Sequence, residues 1–210
     1  MKCMALQYAK VRIRGTKPLL IHTFNANVLS LERKERSGGA GNDPEEWKST
    51  YTADENNHLY LDSSYVFGCM REAARYSPSG RGRSTLQKVV SATLQVLSNR
   101  IYLNRYMPRE ITKDENEPVY LDVRSVINPN TKNRNLRYRV ALSPGWETEF
   151  EIIWDNTLVN GMQIEGVLHD AGMLVGLADA RSIGYGRFDV SSVDIQSYEE
   201  FKKGAKKTSA

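Results

Sequence analysis

The residues best suited to chemistry lie late in the sequence, in Gly176-Leu-Ala-Asp-Ala-Arg-Ser-Ile-Gly-Tyr-Gly-Arg-Phe188. Gly176, Gly184 and Gly186 allow positive φ and close approach of another backbone, and Arg181 and Arg187 carry planar guanidinium forks that match phosphate. The chemistry this suits is noncovalent, the holding of a polyanion. The same glycines also suit a tight return from a helix into a strand, with Arg181 paired to Asp179 or Asp189. The residues alone leave both readings open.

Further basic residues are spread along the chain: Lys10, Arg12 and Arg14; Arg33, Lys34 and Arg36; Arg71 and Arg75; Arg81 and Arg83; and Arg137. Taken one at a time they read as solvated faces, or as charges that blunt a sheet. Together, basic segments of which two are glycine-rich are better explained by a polyanion running across the domain. Tyr106, Tyr138 and Tyr185 stand beside basic residues, where a base could stack, although tyrosines in strands also serve packing.

Bond-making chemistry has little support. His22, His58 and His169 are scattered, no Cys pair has metal-ligand spacing, and Asp54-Glu55 and Glu45-Glu46 have no recognisable partner. There is neither a phosphate-loop Gly-Lys-Ser/Thr motif nor a Gly-x-Ser-x-Gly elbow. The expectation is a binding protein with no catalytic residues, no metal and no cofactor.

The elements that must position these residues follow from periodicity. Ala9, Val11 and Ile13 alternate with Tyr8, Lys10, Arg12 and Arg14, which predicts a half-buried strand with a basic outer face. Ser63-Ser64 precedes Val66, Phe67, Met70, Ala73 and Ala74 at helical spacing, which predicts a helix over 64–76 capped by those serines. Residues 88–103 predict a strand. The alternation of Phe150, Ile152 and Trp154 predicts another, followed by a helix over 157–175 capped by Asp155 or Asn156, and a last strand runs through Val190 to Ile195. This is an α+β order, the ferredoxin-like (RRM-like) βαββαβ plan, with both helices on one face of a single antiparallel sheet. Two insertions interrupt it: a flexible loop at 25–57, and a hairpin at 104–144 with a turn at Asn128-Pro-Asn-Thr131. The segment 199–210 reads as a disordered basic tail, leaving a single domain over 1–198.

With 210 residues, 40% hydrophobic and 26% charged, the chain suits one globular domain. A net charge of +4 is too small to signify without placement. Cys3 and Cys69 do not make a disulfide framework, and no apolar run has membrane-spanning length, so a reducing cytoplasm is the expected location and no membrane is expected as partner.

Two of these segments resemble the RAMP superfamily of CRISPR proteins. Gly184-Tyr-Gly-Arg-Phe188 is similar to the glycine-rich loop before that family's last strand, and Leu61-Asp-Ser-Ser-Tyr-Val-Phe-Gly-Cys-Met-Arg-Glu-Ala-Ala74 is similar to its entry into the first helix. Asp62, Phe67 and Ala178 depart from the family pattern. The resemblance spans about residues 7–195 and implies a ferredoxin-like fold. It further implies a backbone subunit of an antiviral ribonucleoprotein that binds guide RNA, assembles in a filament-like array with like copies or other RAMP-like subunits, and carries a thumb-like hairpin. Phage-encoded proteins of unassigned role share the pattern, and the alternative is a phage or mobile-element protein that uses the same fold to bind or anneal single-stranded DNA or to interfere with a CRISPR complex. Target-cleaving members present an aspartate after the first strand. Between Arg14 and Arg36 this chain has only Glu32 and Glu35, which speaks against a metal-assisted ribonuclease.

Overall fold

A computed structural model of the chain describes residues 5–23, 45–80, 82–127, 130, 132 and 134–208. The first strand, β1 (Leu6–Gly15), buries Ala9, Val11 and Ile13 and turns Lys10, Arg12 and Arg14 outward, as alternation requires. After the short β2 (Leu19–Ile21) and β3 (His58–Asp62), helix α1 (Ser63–Ala73) buries Val66, Cys69, Met70 and Ala73. Burying a side chain the size of Val66 or Met70 contributes about 1.5–3 kcal/mol. The N-cap is Asp62, not Ser63 or Ser64: its carboxylate accepts from the Ser64 N–H at 2.9 Å.

Residues 88–103 are only partly strand. Helix α2 (Gln87–Thr93) occupies the first half, followed by β4 (Gln95–Val96) and β5 (Arg100–Tyr106). Tertiary packing overrides the β-branched composition here, because Leu86, Val90 and Leu94 recur every fourth residue and are buried together in the core. The hairpin of the 104–144 insertion is β6 (Val119–Ile127) against β7 (Arg134–Leu142). Residues 128, 129 and 131 of its turn lie outside the described residues. Next come β8 (Glu147–Asp155) and α3 (Gly161–Asp170), which continues as a π turn over Ala171–Val175. The cap of α3 is Asn160, in a capping box with Gln163, rather than Asp155 or Asn156; Asp155 instead holds the Thr157 N–H in a turn.

The chain closes with β9 (Phe188–Ser197) and α4 (Tyr198–Thr208). The disordered tail expected over 199–210 is therefore corrected through Thr208. Phe201 stacks on Tyr8 at 4.0 Å, an anchor that tail composition conceals. The flexible-loop reading of 25–57 is corrected over its described part: residues 46–49 form a 3-10 turn, and Trp47 and Tyr51 pack on the core. Residues 25–44 lie outside the described residues.

The main sheet runs β3-β5-β8-β1-β9, with β4 also paired to β8. All its pairings are antiparallel. The path β9-β1-β8-β5, with α1 and α3 as crossovers, is the strand order of a ferredoxin-like α+β core. Side chains of α1 and α3 join the inward residues of β1, β5 and β8 in one core. The sheet is not alone: β2, β7 and β6 form a separate three-stranded sheet, so the insertion extends the fold as a second layer.

Candidate nucleic-acid interface

The glycine-rich segment leaves the π turn at Gly176 and is folded back on itself. Leu177 N–H donates to the Gly186 carbonyl at 2.9 Å, Gly186 N–H to that of Pro18 at 2.8 Å, and Asp179 N–H to that of Leu20 at 2.9 Å. A Cβ on Gly186 would lie 2.0 Å from the Leu177 carbonyl oxygen, and one on Gly176 would lie 2.6 Å from that of Tyr185. Both glycines are thus required by the loop's own close packing. Gly184 differs: its φ is +92° and the space around its Cβ position is empty. For Gly176 and Gly186 the turn-forming reading is sufficient, while Gly184 presents open backbone to solvent.

The loop is wedged between the helices and the second sheet. Tyr185 and Ala180 pack on Leu20, Tyr120 and Ala141. Asp179 ion-pairs with Arg139 at 3.1 Å, and Arg124 lies 4.7 Å over the Tyr185 ring while bonded to Asp122 at 2.7 Å. Arg137 sits directly opposite Arg124 in the hairpin register. The hairpin thereby places Arg137 beside Arg124, whose guanidinium lies over the Tyr185 ring. Arg124 and Arg139 themselves were not among the expected residues. The signal for Arg139 was present, since Arg137 and Arg139 are two apart and a strand puts such residues on one face.

On the other side of the loop, an open cleft of about 570 Å³ is lined by Glu72, Tyr76, Leu174, Arg181, Ser182 and Arg187, among others. Its carboxylates are already matched: Glu72 binds Arg75 at 2.6 Å and Asp179 binds Arg139. Among the described residues Arg181 and Arg187 make no ion pair, so neither Asp179 nor Asp189 neutralises Arg181. Four guanidiniums, those of Arg75, Arg139, Arg181 and Arg187, face two carboxylates and leave a surplus of two positive charges. The Nη1 of Arg187 is buried and has no hydrogen-bond partner. A buried charged donor without an acceptor is costly, and an anion in the cleft would satisfy it. Cys69 reports the same field. Burial pushes its thiol up to about 12, while the charges of Arg181 and Arg187 pull in the opposite direction.

The other expected residues lie elsewhere. Lys10 and Arg12 both bind Glu149 at 2.6 Å and Arg14 binds Glu147 at 3.1 Å, on the sheet face away from the helices. The basic outer face of β1 is therefore partly offset by carboxylates of β8, its register partner. Hydrogen bonds from Lys10 and Arg12 hold the Glu149 carboxyl below its usual range. Arg71 lies on α1 over the Phe67 ring at 6.0 Å, and Arg83 is exposed in the loop before α2. Tyr138 is half-buried on β7, and Tyr106 is exposed at the end of β5. Arg33, Lys34, Arg36 and Arg81 lie outside the described residues. Among the described residues no group of three or more His, Cys, Asp or Glu side chains is placed to hold a metal ion. No helix of the described residues is long and apolar enough to cross a membrane.

No family model matches the chain. No curated protein matches it. Among solved structures it is similar to one chain of the cryo-EM structure of the Type III-B Cmr-beta bound to cognate target RNA. Identity is 15% and the TM-score 0.49, over 92% of this chain and 61% of that one. The chain thus spans under two thirds of the length of that neighbour.

Proposed function

We propose that this chain is a non-catalytic subunit of a CRISPR-like ribonucleoprotein that holds single-stranded RNA by its phosphate backbone. The surplus of two guanidinium charges in the cleft lined by Arg181 and Arg187, with one buried Arg187 N–H lacking an acceptor among the described residues, carries this reading. Phosphate binding of this kind holds any sequence alike, so sequence choice falls to base pairing. The two-motif resemblance to RAMP proteins favours guide RNA as the strand, a place in a series with like or related subunits, and the cytoplasm.

Replacing Arg181 or Arg187 by Ala tests it. Affinity for all single-stranded sequences should fall alike, and the slope of log affinity against log salt should flatten by about 0.7 for each phosphate that is no longer neutralised. Variants that fold normally and bind with unchanged affinity and slope would sink the assignment. RNase and DNase treatment of co-purifying nucleic acid separates RNA from the single-stranded DNA alternative.

A further inference from the structure

Among the described residues, the face of the main sheet opposite α1 and α3 is covered at one end. There α4 lies over the start of β1, with Phe201 on Tyr8. At the other end, where β1 runs out, a shallow groove of about 620 Å³ is lined by Arg12, Arg14, His58, Tyr102 and Asn104, among others. Its β3–β5 edge carries a run of rings. His58 and Tyr106 stack at 4.5 Å and 19°, His58 and Tyr102 lie 4.8 Å apart, and Tyr60 and Tyr102 lie 5.7 Å apart, with Arg100 5.0 Å over Tyr60. Tyr106, at one end of the run, is 58% exposed and Tyr102 37%, so two of its rings are open to solvent.

Beside it, at the turn between β7 and β8, two guanidiniums converge. A Cβ on Gly145 would lie 3.7 Å from Arg14 Nη2 and 3.9 Å from Arg105 Nη2. Arg105 Nε is buried without a hydrogen-bond partner, and burial and the neighbouring Arg14 charge lower its pKa against the opposing pull of Glu147. Two like charges held against one carboxylate leave a place for an anion. This rim adjoins the glycine-rich loop: Gly15 N–H donates to Trp146 and Thr16 N–H to Arg187, so one strand could pass from the cleft over the sheet end.

We propose that the Arg14–Arg105 pair and the Tyr106–His58–Tyr102 run form a second subsite for the same single-stranded nucleic acid, in which unpaired bases stack on the tyrosines and the guanidiniums hold a phosphate between them. It rests on the reading above for the identity of the strand and extends it from phosphates to bases. The occupant follows from the chemistry. Open tyrosine rings accept a planar base, and the paired guanidiniums ask for an anion.

The test uses the full chain and a short single-stranded RNA or DNA carrying 2-aminopurine, whose fluorescence is quenched by stacking. Tyr106→Ala should lower affinity roughly 5- to 150-fold and relieve the quenching without changing the salt slope, and Tyr106→Phe should keep both. Arg105→Ala should flatten the slope by about 0.7. A Tyr106→Ala protein with unchanged melting temperature, affinity and quenching would overturn the proposal. If Arg181→Ala and Arg187→Ala are silent while Tyr106→Ala weakens binding, the cleft assignment fails and this subsite stands. The reverse pattern removes this subsite alone.

Discussion

Gly184 and Gly186 stand two residues apart, share a positive φ and differ in surroundings, so a pair of alanine substitutions separates backbone strain from packing. Gly184 has φ +92° and nothing within 4 Å of its Cβ position. Gly184→Ala should cost only the left-handed strain, about 1–2 kcal/mol. Gly186 has φ +68°, and its Cβ would lie 2.0 Å from the Leu177 carbonyl oxygen and 2.9 Å from that residue's N and C. The obstacle is backbone, held by the Leu177 N–H to Gly186 bond, so it cannot yield by turning a side chain. Gly186→Ala should therefore cost the same strain plus an overpacking cost of about 1–3 kcal/mol. The difference between the two variants corresponds to about 2–12 °C in melting temperature for a chain of this size. Thermal melts at one buffer and concentration, supported by denaturant midpoints, measure it. Equal melting temperatures would refute the packing argument and return Gly186 to the residues whose only role is to face a ligand.

Two other outcomes can be checked on the free protein. Phe201→Ala removes a stack on Tyr8 worth about 0.5–1.5 kcal/mol beyond its buried area. Amide exchange in Tyr198–Lys203 should speed up while the core strands keep their protection, and unchanged exchange would show that α4 is held by something else. The second outcome concerns acid. Glu149 is held below its usual range first by Lys10 and then by Arg12, so its pairing stabilises the fold above the unfolded carboxyl pKa of about 4.3 and is lost as pH falls through the lower folded value. The effect is small because these side chains are largely exposed to screening solvent. Denaturant midpoints from neutral pH down to about pH 3 should fall less steeply for Glu149→Gln than for the natural protein. Identical curves would show that this pairing adds nothing to the pH dependence of stability.

Much of the fold was legible because periodicity is local. The alternation in Tyr8–Arg14 and in Phe150–Trp154, and the helical spacing from Val66 to Ala74, each report one buried face, and those faces are the core of β1, β8 and α1. The βαββαβ order followed, and so did the hairpin. Helix α2 was missed because its burial at Leu86, Val90 and Leu94 competes with a strand-like composition. Helix α4 was missed because its partner, Tyr8, lies at the far end of the chain.

The candidate site divides in the same way. The sequence by itself determined which groups are available: Arg181 and Arg187 among glycines, between the helix over 157–175 and the strand through Val190 to Ile195. Only the tertiary structure decided which cations are already matched. Strand register set Arg12 opposite Glu149 and Arg14 opposite Glu147, the second sheet delivered Arg139 to Asp179, and α1 matched Arg75 to Glu72. Among the described residues Arg181 and Arg187 were left without a carboxylate. The register also gathered His58, Tyr60, Tyr102 and Tyr106, drawn from two separate strands, along one sheet edge. Charge matching and ring stacking act over a few ångströms in space, and residues far apart in sequence meet at that distance only after the sheet has closed.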